Sequence, residues 1–295
     1  MLISDITRLE PSDERAVIIN VNTRLMTTLA LLSALKFAGM PVLLIDCQSK
    51  DGSFDHFSKL MNDYKFDLMS VPLKPHGQTL DWLFKNIPAK KVLLVDSDLE
   101  ILSTEILKFY REWIDQEQTF GCGFINGPQF LVDHGGTALD GAYYQERMWM
   151  PLTLLKTSFV KEALAAGVSF DADTVYNDFP ISQRLSAFVS NFRRRRLGNW
   201  DPGFLRAFRK TYYGNKPSVI YCDTGAHMYQ YLRYKRELWF AALPEPYHPR
   251  FVTHFFGTTR NALGEEGPHS GKRHEDNQTI ACRRLQEIHG FSMPN

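Results

Sequence analysis

Short apolar runs that end near a polar residue, each followed by a stretch with helical spacing, constrain this chain more than any other feature. Ala16–Val21, Pro41–Asp46 and Lys91–Asp96 are brief, rich in Val, Ile and Leu, and bounded by polar residues. Runs of that length and composition read as buried strands covered on both faces. Between the first two, Leu31, Leu32 and Leu35 mark a helix over Thr27–Ala38, with Gly39 placed to end it. Phe54–Tyr64 and Thr79–Asn86 read as further helices, the second stopped by Pro88. Asp67–Val71 reads as a short third strand, which makes Lys91–Asp96 the fourth, and a helix over Thr104–Ile114 follows. Strand and helix alternating in this way mean right-handed crossovers and a mainly parallel sheet. Ligands of such sheets bind beyond the carboxyl ends of the strands, where Asp46 and Asp96 stand.

Past Phe120 the rhythm loosens. Phe120–Asn126, Trp149–Leu155, Val219–Tyr221 and Phe251–His254 read as strands, Ser158–Ala166 and Asp178–Phe188 as helices, and Asn277–His289 as a helical tail. The chain shows no internal repeat and no low-complexity linker, so its 295 residues read as a single domain. Its expected parts are a nucleotide-binding half over about 14–125, a second half over about 126–264 and a tail over 265–295.

Hydrophobic residues at 44% and charged residues at 23% describe a folded globular chain rather than a disordered one. Lysine and arginine number 34 against 33 acids, so the overall charge gives no reason to expect nucleic acid as a partner. Cys47, Cys122, Cys222 and Cys282 lie far apart with no C-x-x-C pair, which fits a reducing compartment and neither a zinc cluster nor a disulfide framework. The polar, acidic stretch Met1–Arg15 does not read as a leader, and no apolar run reaches the roughly 20 residues of a membrane helix. The expectation is a cytoplasmic protein.

The strongest chemical signal is Asp96-Ser97-Asp98 at the end of the fourth strand. Alternation along an extended chain puts residues i and i+2 on one side. Two carboxylates so placed are hard oxygen ligands for Mg²⁺ or Mn²⁺, with a diphosphate supplying further oxygens. A solvated acidic turn is the plainer reading of D-x-D alone, and the buried strand before it favours the metal. A second cluster, Asp46 to Ser53 with Asp51-Gly52, stands after the second strand, and Asn22, Thr23 and Arg24 stand after the first. Either set also reads as polar turn chemistry.

With these motifs the chain resembles the family-two glycosyltransferases, metal-dependent enzymes of GT-A-type α/β fold that use nucleotide sugars. The D-x-x-S-x-D-G-S pattern of Asp46–Ser53, then His76-Gly77, then Asp96-Ser97-Asp98 carry the resemblance over the first hundred residues. It implies Asp46 on the nucleotide base, Asn22, Thr23, Arg24 and Ser97 around the nucleotide, and a UDP-sugar as donor. Tyr176-Asn177-Asp178 with Arg184 is similar to the family's acidic pair before a helix, and implies Asp178 as the general base. Asn177 departs from the usual glutamate, and a helix cap is the other reading of Asp178. Thr253-His254 through Arg260 is similar to the H-x-x-G-x-x-K segment of several GT-A enzymes. It implies His254 as a third metal ligand, with His227 as its rival, and Arg260 on the diphosphate.

The Gly135-Gly136 loop reads as a cover for the donor. Arginines and aromatics over 192–213 suit an anionic membrane surface, a lipid-linked acceptor or a solvated face. The acceptor implied is a glycan, a lipid-linked group or another hydroxyl. Inversion follows from the family-two resemblance, while the H-x-x-G-x-x-R segment is also similar to retaining enzymes. The other classes weighed are an inactive glycan- or anion-binding protein of the same fold and a sugar-phosphate nucleotidyltransferase, whose glycine-rich loop is missing here. Neither a P-loop nor G-x-G-x-x-G occurs, which disfavours kinases and nicotinamide enzymes.

Overall fold

The structure is a computed structural model that describes residues 1–130, 143–176, 219–243, 250–258, 262–263 and 270–293. In the first half the strands are β1 (Leu2–Ile3), β2 (Ser12–Asn20), β3 (Val42–Asp46), β4 (Asp67–Ser70), β5 (Ala89–Asp96), β6 (Leu99–Ile101) and β7 (Thr119–Gly123). Helices α1 (Arg24–Phe37), α2 (Ser53–Leu60), α3 (His76–Asn86) and α4 (Glu105–Ile114) lie between them. Then come β8 (Ile125–Asn126), β9 (Gln129–Phe130), β10 (Tyr143–Tyr144), β11 (Arg147–Met148), β12 (Leu152–Lys156), α5 (Thr157–Ala165), β13 (Asp173–Tyr176) and β14 (Val219–Cys222). Helix α6 (Ala226–Gln230), a π-helical turn (Tyr231–Lys235), β15 (Trp239–Ala242), β16 (Val252–His254) and α7 (Ser270–His289) complete the described chain.

Eight strands form the main sheet in the order β1-β4-β3-β2-β5-β12-β7-β15. All pairings are parallel except those on either side of β12, so β12 alone runs against the other seven. The mainly parallel sheet, its crossover helices and the C-terminal helix agree with the GT-A-type α/β expectation. Side chains alternate between two cores. Val17, Leu43 and Leu94 face α3 and α5 with Leu80, Phe84 and Val160. Ile18, Leu44, Leu93 and Val95 face α1 and α4 with Leu31, Ala34 and Tyr110. Both faces being covered explains why β3 reads as an unbroken apolar run, all five residues buried.

Helix α1 is buried from Met26 to Ala34 because the sheet covers one side and α7 packs on the other. Gly39, at φ 62°, ends it in the left-handed conformation that glycine adopts without strain. Helix α3 is set by another glycine. A Cβ on Gly77 would stand 2.4 Å from Asp171 Cα and 2.6 Å from Phe170 C, so only a glycine lets that backbone approach. Asp81 on the same helix accepts hydrogen bonds from Ser169 Oγ (2.6 Å) and Phe170 N (2.8 Å), which fixes the segment leading into β13. No helix among the described residues is long and apolar enough to cross a membrane.

Candidate metal and nucleotide site

Strand β5 ends at Asp96, whose backbone N–H donates to Pro151 O at 2.9 Å. Ser97 and Asp98 then form a two-residue turn into β6. The two carboxylates therefore converge across a turn, and not by the strand alternation that the sequence implies. Alternation along β5 does aim Asp96 to the α3 side of the sheet, with Val92 and Leu94. There Val17, Ile19, His76, Leu80, Leu94, Val95, Asp96 and Met150 line a narrow cleft.

The third member comes from far along the chain. Strand β16 pairs antiparallel with β6, His254 opposite Leu99, and the amide of Phe255 donates to Asp98 O at 2.8 Å. That ladder brings His254 Nε2 to 3.1 Å from Asp98 Oδ1 across 156 residues of sequence. Trp149 meets the imidazole edge-on at a 5.4 Å centroid distance and Phe256 meets it at 4.0 Å, so the ring is fixed by packing. One ligand atom each from Asp96, Asp98 and His254 lies within 4.8 Å of the others. Burial pushes the Asp96 carboxyl above the ordinary carboxylate range, and the charge of Asp98 pushes it further, against the pull of His76 and His254. Two crowded carboxylates, Asp98 buried and Asp96 half-buried, with one imidazole beside them, make a donor set that suits a divalent cation. The residues present fit Mn²⁺ or Mg²⁺.

His227 stands elsewhere, with Nε2 at 3.8 Å from Asp173 Oδ2 and its side chain 41% exposed. Among the described residues it does not join the aspartate pair. Three neighbours of the site had no role assigned from the sequence. His76 and Asp223 act electrostatically on Asp96, and Trp149 holds the histidine. Only His76 carried a signal, through its place before the glycine that α3 needs.

The second loop cluster folds as a stitched pair of turns. Asp46 and Asn20 end neighbouring strands in register. Asn20 Nδ2 donates to Asp46 Oδ1 at 2.7 Å, and the Ser49 amide donates to Asp46 Oδ2 at 3.0 Å. Asp46 has no exposed surface. Both carboxylate oxygens of Asp46 thus accept hydrogen bonds within the turn at the strand end. Thr23 is buried likewise, its hydroxyl 2.9 Å from Asn20 Oδ1 and 3.0 Å from Thr27 Oγ1.

Asn22, at φ 52°, accepts from the Lys50 amide at 2.6 Å, and Asp51 accepts from the Arg24 amide at 3.0 Å. Asn22 and Arg24 are half-exposed, as are Ser49 and Asp51 opposite them, and Ser97 is buried within its own turn. Asp178, Asn177, Arg184, Arg260, the Gly135-Gly136 loop and the basic segment 192–213 lie outside the described residues. All four cysteines are free, as their spacing implies; Cys47 and Cys122 are buried, and burial pushes both thiols up to about 12.

No family model and no curated protein matches this chain. Among solved structures it aligns with a mannosyltransferase from Pyrobaculum calidifontis in complex with GDP-Man and Mn²⁺. The identity is 12%, over 99% of this chain and 79% of that one, at a TM-score of 0.40. It aligns with TarS 1–349 from S. aureus at 14% identity over 94% of this chain and 73% of that one, TM-score 0.37. With the same TarS segment in complex with UDP-GlcNAc the identity is 17% over 51% of this chain, TM-score 0.37, and the chain spans 47% of that structure's length. At identities and TM-scores this low, function is read from the chain's own residues.

Proposed function

We propose that this protein is a metal-dependent glycosyltransferase that moves a sugar from a nucleoside diphosphate, UDP in the first instance, to an acceptor hydroxyl. The observation that carries the reading is the convergence of Asp96, Asp98 and His254 within 4.8 Å at the carboxyl end of a parallel strand. These three residues would hold Mn²⁺ or Mg²⁺. The cation, when bound, neutralises charge building on the leaving diphosphate. Asn22 and Arg24 face the nucleotide from the neighbouring strand end, on turns held by Asp46 and Asp51. Arg260 pairs with the diphosphate.

In this reading Asp178 takes the proton of the acceptor hydroxyl as that oxygen bonds the anomeric carbon. The bond from that carbon to the diphosphate breaks in the same step, the nucleoside diphosphate leaves, and the configuration inverts. Carboxylate bases contribute about 10²–10⁴-fold to such transfers. Asp178→Asn should therefore slow transfer by about that factor and leave nucleotide affinity unchanged; normal transfer by this variant removes Asp178 as the base.

The test of the whole reading is calorimetric titration of UDP, GDP, CDP and dTDP, each with Mn²⁺ and again with EDTA. Metal-dependent binding of one nucleotide supports the reading and names the base. Binding of none of them refutes it.

A further inference from the structure

The two strands that carry Asp98 and His254 into place form a ladder separate from the main sheet, and each is only three residues long. A pair that short is not stable by itself in water. Something else must hold it. On the β6 side, Glu100 is wholly buried, two residues beyond Asp98. Its carboxylate accepts a hydrogen bond from Arg284 Nε on α7 and lies 3.7 Å from His289 Nε2 on the same helix. The Ile101 amide donates to Ser33 Oγ on α1 at 3.1 Å. On the β16 side, Phe255 follows His254 directly. Its ring is buried with Met26, Leu29 and Leu32 of α1 and Ala281 and Leu285 of α7, and its carbonyl accepts from Asn277 Nδ2 at 3.3 Å. Helix α7 thus grips both strands of the ladder, one through an ion pair and the other through a ring and a carbonyl.

We propose that α7 belongs to the support of the metal site, with Glu100 and Arg284 as positioning residues that hold Asp98 and His254 in ligating geometry. This rests on the reading of Asp96, Asp98 and His254 as a cation site. A ligand set works only when its supports hold it to within ~0.5 Å. Glu100 reaches no reacting atom, and it acts through the strand it shares with Leu99. Loss of the guanidinium would leave the buried carboxylate with only the more distant His289 beside it, and the ladder would shift to let water reach it.

The test is calorimetric titration of Mn²⁺ into the full chain: wild type, Asp98→Ala, Arg284→Met, Arg284→Lys, and Glu100→Gln combined with Arg284→Met. The double variant removes both charges together and so spares the fold an unpaired carboxylate. Wild type should bind, and Asp98→Ala should not. Arg284→Met and the double variant should bind about tenfold more weakly, and Arg284→Lys should recover most of the affinity. Hydrogen exchange of the wild-type chain gives a readout that depends on no variant. Mn²⁺ should slow exchange across 277–289 as well as 252–258, because coupling between two sites is reciprocal. Wild-type affinity in Arg284→Met and the double variant overturns the proposal and leaves the metal site standing, as does unchanged exchange in 277–289. Absence of Mn²⁺ binding by the wild type overturns both.

Discussion

Asp96, Asp98 and His254 show how differently three members of one candidate site can be written in a sequence. The aspartates announce themselves by following a buried strand. The histidine is marked only by the likeness of Thr253–Arg260 to the H-x-x-G-x-x-K segment, and it is the pairing of β16 with β6 that sets its ring beside Asp98. Because Asp98 is almost completely buried yet ends a turn rather than a core strand, its removal should spare the fold. Asp98→Ala should lose Mn²⁺-dependent nucleotide binding by calorimetry while its melting temperature stays within a few degrees of wild type. Full Mn²⁺-dependent binding by this variant would refute the metal assignment. Asp46 teaches the opposite lesson. Its position after a strand is legible in the sequence, and its hydrogen bonds to Asn20 and the Ser49 amide are not.

The elements that serve the site are α3 and α7, and each turns on a packing fact. Gly77 is required by the backbone of residues 170–171, which has no flexible end to yield. Gly77→Ala should destabilise the chain by about 1–3 kcal/mol in urea unfolding; an unchanged midpoint would mean that α3 and this backbone are not in contact. On α7, Leu285 is fully buried against α1 and Phe255. Leu285→Ala should cost about 2–5 kcal/mol, read from the same unfolding curves; a loss under about 0.5 kcal/mol would mean that α7 is not docked. The sequence reads α7 as a tail from Asn277, and the helix begins at Ser270. Its weak apolar stripe identifies a helix and says nothing of the element it covers.

Across the whole molecule the charge of the site is linked to stability. The Asp96 carboxyl is raised, so over the pH range between its ordinary and raised values the folded chain keeps a proton that the unfolded chain has lost. Stability of the metal-free chain then falls as pH rises through that range. A cation replaces the proton and reverses the penalty. At one fixed Mn²⁺ concentration, the rise in melting temperature should therefore be larger at about pH 8 than at about pH 5. An equal rise at both pH values would mean that Asp96 does not lose a proton to the metal.

The sequence by itself determined the layers. Apolar runs at strand length, separated by helical spacing, can bury their faces in few ways, and β2, β3, β4 and β5 with α1 to α4 follow those signals to within four residues. It also placed two carboxylates beyond a strand end, because local order alone decides where a strand stops. The tertiary structure decided the rest. It reversed β12 between β5 and β7, turned Asp46 inward, brought His254 to Asp98 and laid α7 against Glu100 and Phe255. Each of these depends on contacts between segments far apart in the chain. Their energies come from burial and pairing that exist only after the sheet has formed, and no local pattern records them.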